Sequence, residues 1–569
     1  MDCKAIRFVV MLMAAVTLAA CHENGDGPSL KREPDAKYVG QAVGNFEASE
    51  WYPGGELGTT DNVTEGCYED ETPSVLAQGL ETEFNLGEAA FERKFTQSTA
   101  PFKGLGPAYV RSSCLDCHPG YGHGKWQKEY KAGFGNGYLL VIYHPVDGAN
   151  SDDGPYVAEV TGMPQTKAVA PFLPPIDEDK ISLNWVKVTA MESGIPMAFP
   201  DGETYELIYP ELYIPEDAFN TDPTPYQTGP VAFRLESTIG IIGTGLLDAI
   251  PEESIKEQYI AEAPYVELNP AFWDKAAGDF APTAWYTLAE GQFADGTPAP
   301  AGTKKLKRFT YAMTRASLQD GAGANAIWNI TNVSRGDRHF LYTTKAWAKK
   351  MSETPSVIAA VKADPSSPYY ADGTDEGIAE AILNLLDPYT DQFDNKWHNF
   401  TPEMGEDQYY NFLVWHRGLS IPRARNLNRP EVQRGKEVFN KIGCATCHKA
   451  SWETKDDNYW APAITKGKQL PRYRNQKIYP YSDMIQHRLF MKNGIHGSWC
   501  RTTPLWGRGL SRANTGSEDR IHDCRARNVV EAIMWHGYSK KSDAYDSTEK
   551  FYNLSKDDRE AVVEFINSL

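Results

Sequence analysis

Two short stretches of the chain share one arrangement of cysteine and histidine. Cys-x-x-Cys-His occurs at residues 114–118 and again at residues 444–448. With 9 Cys and 12 His in 569 residues, chance predicts only about 0.003 copies of this motif. Two copies therefore need a chemical cause. The residues concerned are Cys114, Cys117 and His118 in the first copy and Cys444, Cys447 and His448 in the second.

Covalent attachment of haem uses all three residue types of this motif. The two thiols form thioethers with the vinyl groups of the porphyrin, and the histidine that follows coordinates the iron. A redox-active Cys-x-x-Cys pair does not need the histidine, and a zinc site needs a second matched pair nearby, which neither stretch has. The sequence therefore predicts two covalently attached haem c groups.

The N-terminus predicts export, and c-type haem is attached outside the cytoplasm. Lys4 and Arg7 precede an apolar run that is too short to span a bilayer, which is the pattern of a secretory signal peptide. Residues 18–21, Leu-Ala-Ala-Cys, resemble a bacterial lipobox, so Cys21 would carry lipid. We expect a lipoprotein that is held to a bacterial membrane by its lipid alone, on the periplasmic or cell-surface side. A soluble secretory signal with a coincidental cysteine is the alternative.

Three cysteines are left after the signal peptide, the lipid site and the haem motifs are counted. They are Cys67, Cys500 and Cys524. Because the compartment is oxidising and Cys500 and Cys524 flank the same C-terminal loop, the sequence predicts a disulfide between these two. A pairing through Cys67 stays open.

The charge of the chain limits its partners. A net charge of −19 and an isoelectric point near 5.2 argue against binding to nucleic acid. An acidic surface favours a basic partner, so we expect a small redox protein or a membrane electron donor. The sequence does not indicate an oligomeric state.

A similar helical segment precedes each haem motif. Before the second motif, Pro430 is suited to open a helix in which Gly435 and Phe439 are one turn apart. Before the first motif, Gly87 and Phe91 repeat this Gly-x-x-x-Phe element. The repetition predicts two related haem domains that arose by duplication.

Short β-type runs separated by Pro, Gly and Asp turns extend from about residue 138 to 214. The expected fold is mainly α, with two cytochrome c-like haem domains and this β-rich insertion in the first of them. The expected boundaries are 1–20 for the signal peptide, 21–60 for the lipidated N-terminus and flexible tether, 61–400 for the N-terminal haem domain and 401–569 for the C-terminal haem domain.

Several C-terminal segments resemble the signatures of a known family. "RPEVQRGKEVFNKIGCATCH", "YPYSDMIQH", "RTTPLWGRGL" and "IHDCRARNVVEAIMWHG" look like those of the bacterial di-haem oxidoreductases, sometimes labelled thiol oxidoreductases. "IGTGLLDAIPEESI" resembles an element in the N-terminal half of that family. The family is in turn similar to di-haem cytochrome c peroxidases and MauG-type enzymes. One departure is Cys524, which stands where the family usually has the glycine of His-Asp-Gly-Arg.

The resemblance implies a division of labour between the two haems. The haem at Cys114 would meet hydrogen peroxide or another small substrate, and the haem at Cys444 would accept electrons and relay them. In the peroxidase relatives a second iron ligand of the relay haem lies on the helix after the His-Asp-Gly turn, and the register of this chain places His536 there. The competing ligands are Met491, Met534 and His487.

Two residues are candidates for catalysis at the first haem. Peroxidase relatives supply Glu with a nearby Gln to move a proton between the peroxide oxygens, and the comparable stretch "SLQDGAGANAIWNITN" offers Gln319, with Asp320 as its only carboxylate. His144 lies 26 residues beyond His118, so the chain is long enough for it to reach the opposite face of the haem. A core or surface histidine is the alternative for His144.

The leading functional hypothesis is a lipid-anchored di-haem c-type oxidoreductase. It would be peroxidase-like and would pass electrons from the C-terminal haem to the N-terminal haem. Two alternatives remain. One is a pure electron-transfer di-haem cytochrome, and the other is MauG-like oxidation of an organic or protein substrate. Four arginines flank the second motif as possible partners of the haem propionates, namely Arg423, Arg425, Arg501 and Arg525.

Overall fold

Helices and small sheets alternate along the described part of the chain. The computed structural model describes residues 35–96, 104–131, 137–147, 154–338, 341–387 and 402–569. The expected signal peptide, the expected lipid site at Cys21 and the first part of the tether lie outside these residues. By their contacts the residues form two units, Met1–Val39 and Gly40–Leu569. The described part of the first unit contains one helical turn, at Asp35–Lys37.

The helices are mostly short, and the longest ones lie near the two haem motifs. In chain order, α1 to α15 are Pro73–Gln78, Glu81–Glu92, Pro225–Thr228, Thr244–Asp248, Glu252–Glu262, Ala324–Ala326, Lys345–Ser352, Pro355–Lys362, Asp375–Leu386, Glu406–Gly418, Pro430–Ile442, Ser511–Thr515, Val529–His536, Tyr545–Tyr552 and Lys556–Ser568. Two π-helical segments, Leu318–Ala322 and Ile327–Thr331, flank α6.

The strands pair almost entirely in twos. In chain order, β1 to β19 are Thr59–Thr60, Ala108–Tyr109, Tyr138–Tyr143, Lys167–Ala168, Ser182–Lys187, Ile208–Tyr213, Ala232–Ser237, Trp273–Asp274, Asp279–Phe280, Trp285–Thr287, Gly291–Phe293, Pro298–Ala299, Lys304–Leu306, Ile421–Pro422, Trp452–Glu453, Trp460–Pro462, Lys477–Ile478, Gln486–Arg488 and Trp499–Arg501. The longest ladders are the antiparallel pairs β3–β7 and β5–β6.

The expectation of a mainly α fold is wrong. The protein is 35% helical and 15% strand, and the strands form many small sheets. Strand pairing continues well past the expected insertion, because β3 pairs with β7 and the later strands β8–β13 and β15–β19 lie in the long connections between helices. Backbone groups in such connections need partners when they are buried, and short ladders provide them. The pair of haem domains and the boundary at residue 400 stay predictions.

Two close helix crossings bring the segments before the haem motifs into the core. A Cβ atom on Gly87 of α2 would lie 2.1 Å from the backbone oxygen of Asn411 in α10. A Cβ atom on Gly435 of α11 would lie 2.0 Å from the backbone oxygen of Ala561 in α15. Each glycine therefore permits a backbone approach that no other residue allows.

One apolar cluster takes residues from both halves of the chain. Its buried members extend from Cys67 to Leu510 and include Phe91 of α2 and Trp415 of α10. The expected N-terminal and C-terminal haem domains therefore share core packing. Within the described ranges, no helix combines the length and the apolar character needed to cross a membrane.

Candidate haem sites

The second Cys-x-x-Cys-His motif opens into a cavity of about 300 Å³. Gly443, with φ of +97°, ends α11 and turns the chain into a helical turn at Cys444–Thr446. The walls include all three motif residues. The motif residues are Cys444, Cys447 and His448, and their main neighbours in the cavity are Met491, Arg501 and His536.

The imidazole of His448 is oriented by the backbone. Its Nδ1 donates a hydrogen bond to the backbone oxygen of Tyr481 over 2.9 Å, which leaves Nε2 as the nitrogen with a lone pair. Enclosure by the protein lowers the pKa of His448 to about 4, with a smaller contribution from His536. His448 is therefore neutral and able to coordinate a metal.

His536, on another helix, is likewise oriented by a backbone carbonyl and kept neutral by burial. It is the last residue of α13, and its Nδ1 donates to the backbone oxygen of Ala532 over 2.6 Å. Burial lowers the pKa of His536, so its Nε2 also keeps a lone pair. Because His536 depresses the pKa of His448, the two rings lie within electrostatic reach of each other. One cavity thus brings together two thiols and two neutral imidazoles.

The competing ligands of the second site differ in their surroundings. Met491 lines the cavity, whereas Met534 is fully buried and is absent from the described lining. His487 donates through Nε2 to Asp483 over 2.7 Å. Although burial opposes it, Asp483 raises the pKa of His487 well above its ordinary value. A protonated imidazole cannot bind iron, which favours His536 among the histidines.

Two buried arginines in this cavity lack a carboxylate partner within the described part of the chain. Burial lowers the pKa of Arg501 to about 10 and that of Arg520 to about 9. The Nε atom of each has no hydrogen-bond partner among the described residues. An uncompensated buried guanidinium is costly unless an anion is bound there, and a haem carries two propionates. The donor set of the cavity therefore fits a haem.

The first motif also begins with a helical turn, but Nδ1 of His118 has no hydrogen-bond partner among the described residues. Ser113 caps the helical turn Cys114–Asp116, and Thr238 donates to the backbone oxygen of Cys117 over 2.5 Å. Burial lowers the pKa of His118 to about 4. Its ring centre lies 6.2 Å from that of Phe91, and the Phe439–His448 separation at the second motif is also 6.2 Å.

A comparison with known families agrees with this geometry. The family model described as "Di-haem oxidoreductase, putative peroxidase" matches residues 320–569. These residues, which are less than half of the chain, are thus similar to the di-haem oxidoreductases. The description of that family implies oxidoreductase chemistry and haem cofactors. No curated protein and no solved structure matches the chain.

The di-haem oxidoreductase match begins at the segment predicted to face the first haem. Gln319 lies in the π-helical segment Leu318–Ala322 and is 1% exposed. Its Oε1 accepts a hydrogen bond from Ser317 over 2.8 Å, and its backbone oxygen accepts one from Tyr409 of α10 over 2.7 Å. The amide Nε2 has no partner among the described residues. Its catalytic role stays a prediction.

The stretch around Gln319 contains no glutamate that could transfer a proton at the first haem. Glu403 is a candidate for this role. Glu403, just before α10, accepts hydrogen bonds through Oε2 from the backbone and hydroxyl of Ser334. Burial raises the pKa of Glu403 to about 8. Arg93 interacts electrostatically with both Glu403 and Cys114, which places this carboxyl on the side of the first motif. Asp320, by contrast, is paired with Arg338 at 3.0 Å.

His144 lies at the end of β3 and is half-buried. Its Nδ1 donates to the backbone oxygen of Pro230 over 2.9 Å, and Thr228 lies 3.4 Å from its Nε2. It is absent from the described lining of the 300 Å³ cavity. The proposed role at the first haem stays a prediction.

The predicted disulfide between Cys500 and Cys524 is not formed in the structure. Cys500 lies on β19, and its Sγ is 3.8 Å from His522 Nδ1. Cys524 has φ of +64° and packs under β3 and β7, where its Sγ is 3.7 Å from His123 Nδ1. The two side chains therefore face different histidines.

Sequence reasoning missed one histidine close to the first motif. His416 of α10 is 4% exposed, and burial, then His118, lowers its pKa to about 3. The signal that could have found it is a repeated dipeptide, because Trp415-His416 matches Trp535-His536. Of the predicted propionate partners, Arg501 lines the cavity, whereas Arg525 is paired with Asp523.

Proposed function

We propose that the protein is a di-haem c-type oxidoreductase with peroxidase-like activity. The observation that carries this proposal is the cavity in which His448 and His536 stand beside Cys444 and Cys447, each imidazole neutral and oriented by a backbone carbonyl. Two thiols spaced for thioethers and two available imidazole nitrogens are what a covalently bound, six-coordinate haem needs. Cys114, Cys117 and His118 would hold the second haem.

Bound haem would supply one-electron redox chemistry at both motifs. The residues of the chain would set its properties. Arg501 and Arg520 would compensate the propionates, and the carbonyls of Tyr481 and Ala532 would fix the tautomer of the two histidines, which makes their Nε2 more basic.

Gln319 and Glu403 support the peroxidase-like part of the proposal. Cleavage of a peroxide needs a group that gives and takes a proton. Glu403 is protonated at neutral pH because its pKa is about 8, so it can donate a proton. Nε2 of Gln319, which has no partner among the described residues, can donate a hydrogen bond to a small polar ligand. Glu403 is linked to the first motif through Arg93, which interacts electrostatically with both Glu403 and Cys114.

The direction of electron flow and the cellular setting are part of the same proposal. Electrons would enter at the C-terminal haem and leave at the N-terminal haem. The donor would be a small basic redox protein or a membrane component, because the chain carries a net charge of −19. The protein would be exported and held to a bacterial membrane by lipid on Cys21.

Haem counting and rapid kinetics test the proposal together. We expect intact-mass measurement and the pyridine haemochrome of the exported protein to give two haems per chain. A double Cys444→Ala, Cys447→Ala variant should lose one of them, whereas Cys67→Ser should keep both. Stopped-flow mixing of the reduced protein with hydrogen peroxide should reoxidise both haems. A protein without covalent haem would overturn the proposal.

A pure electron-transfer cytochrome is the second candidate. It is favoured by one observation, the presence of a second buried histidine near each motif histidine. This candidate predicts that hydrogen peroxide and cyanide leave the spectra of the oxidised and half-reduced protein unchanged, whereas the peroxidase-like function predicts a shift.

A further inference from the structure

His416 is a buried histidine that the proposed function does not use. It lies in the last turn of α10, and its Nδ1 has no hydrogen-bond partner in the part of the chain that the structure describes. A buried imidazole without a partner loses the solvation of its polar nitrogens. Because Nδ1 faces Gly323, Nε2 is the ring nitrogen that remains for another group, such as a metal.

The position of His416 is fixed relative to the first motif by aromatic packing. The ring of Phe91 lies 6.2 Å from that of His118 and 4.2 Å from that of Trp415. Trp415 in turn stacks on His416 with ring centres 5.8 Å apart and an interplanar angle of 27°. His118 and His416 are also close enough for His118 to lower the pKa of His416. The two buried imidazoles therefore lie within electrostatic reach of each other.

A glycine makes room for the ring of His416. A Cβ atom on Gly323 would lie 1.6 Å from Nδ1 of His416 and 2.0 Å from its Cε1. Gly323 directly follows the π-helical segment that carries Gln319. Any side chain at position 323 would displace the imidazole of His416. The observed position of that ring therefore requires glycine at position 323.

The second site offers a direct comparison. His536 also follows a buried tryptophan, Trp535, and the indole nitrogens of Trp415 and Trp535 both lack a partner among the described residues. The helices are not equivalent. Helix α10 crosses the helix before the first motif, whereas α13 contacts α15, the helix that crosses the one before the second motif. The same dipeptide thus places a buried histidine near each motif from two different helices.

We propose that His416 is the second axial ligand of the haem held by Cys114, Cys117 and His118. This inference rests on the proposed function, since it requires a haem at the first motif. With His118 on one side and His416 on the other, that haem is six-coordinate and low-spin in the oxidised protein. An external ligand such as cyanide must compete with His416 for its place.

Electron paramagnetic resonance of the oxidised protein tests this ligand. We expect two low-spin ferric signals in the wild type. His416→Ala should lose one of them and gain a high-spin signal, and added imidazole should restore the low-spin state. His496→Ala, which removes a histidine that contacts Tyr156 and Glu236, is the matched control and should keep both low-spin signals. Two low-spin signals in a fully loaded His416→Ala protein would overturn the inference.

A measurement on the wild type keeps the test decisive if the variant does not fold. Near-infrared magnetic circular dichroism reports the type of axial ligand, and we expect two bis-histidine haems. Where only one haem is bis-histidine, the Cys444→Ala, Cys447→Ala variant assigns it, because that variant keeps only the haem of the first motif. A spectrum other than bis-histidine in that variant would refute the role of His416. Haem content by pyridine haemochrome separates the two proposals, because fewer than two haems in the wild type contradicts the proposed function itself.

Discussion

A Cβ atom on Gly435 would lie 2.0 Å from the backbone oxygen of Ala561, which is far inside the contact distance of carbon and oxygen. The helix before the second motif therefore packs backbone to backbone against the C-terminal helix α15. Phe439, one turn after Gly435, faces both His448 and Phe565, with ring centres 6.2 Å and 5.2 Å away. The crossing thus fixes the position of Phe439, against which His448 packs.

The first prediction concerns this crossing. Gly435→Ala should lower the free energy of unfolding by roughly 1–3 kcal/mol, because the clash with a backbone oxygen outweighs the better helix propensity of alanine. Urea unfolding followed by tryptophan fluorescence measures the change. Gly162→Ala is the matched control, because its new methyl would meet only the Tyr342 hydroxyl at 3.6 Å. A Gly435→Ala protein as stable as the control would contradict the close crossing.

The second prediction concerns Glu403 and pH. Its folded pKa of about 8 lies above the ordinary value of 4.5, so between these values the folded state holds a proton that the unfolded state has released. Its contribution to stability is present below about pH 4.5 and is lost as the pH rises to about 8. Glu403→Gln should therefore gain stability relative to the wild type as the pH rises, by on the order of a few kcal/mol.

Parallel urea titrations from pH 5 to pH 8 measure this difference, the pH range being about that between the two pKa values. Glu257→Gln, at an exposed position on α5, is the control and should show a difference that does not change with pH. A Glu403→Gln curve parallel to the wild-type curve would show that the carboxyl is ionised in the folded protein.

The local part of the site could be predicted from the sequence, and the long-range part could not. Cys-x-x-Cys-His places its three residues within one turn, so the motif alone specifies them. The Gly-x-x-x-Phe elements are also local, because one helical turn relates the two residues. His536 follows from the register of a family signature. None of these predictions depends on how distant parts of the chain pack.

The sequence did not predict the site residues that distant segments contribute. His416 and Glu403 reach the first motif only because α10 crosses α2, and no periodicity in the sequence specifies which helices cross. Arg520 has the same sequence context as any solvated arginine, and only its burial without a carboxylate distinguishes it. The strand content was underestimated because strands of two or three residues are too short to show alternation.

The third prediction concerns Arg520. Removing a buried positive charge beside the propionates disfavours the reduced haem, which carries less positive charge than the oxidised haem. Arg520→Gln should therefore lower the reduction potential of the C-terminal haem, as measured by a potentiometric titration followed by the haem absorption. Arg512→Gln neutralises an exposed arginine that pairs with Glu518 and should leave the potential unchanged. Equal potentials in the two variants would place Arg520 away from the haem.

The fourth prediction concerns the second ligand of the C-terminal haem. His536→Met should keep that haem low-spin but raise its reduction potential, because a thioether donates less electron density than imidazole and stabilises the ferrous state. Potentiometric titration and the near-infrared spectrum follow the two properties in one sample. Met534→Leu changes the neighbouring buried methionine without touching a ring nitrogen and should alter neither. If His536→Met keeps the wild-type potential and spectrum, the ligand is another residue, and Met491 is the one that lines the same cavity.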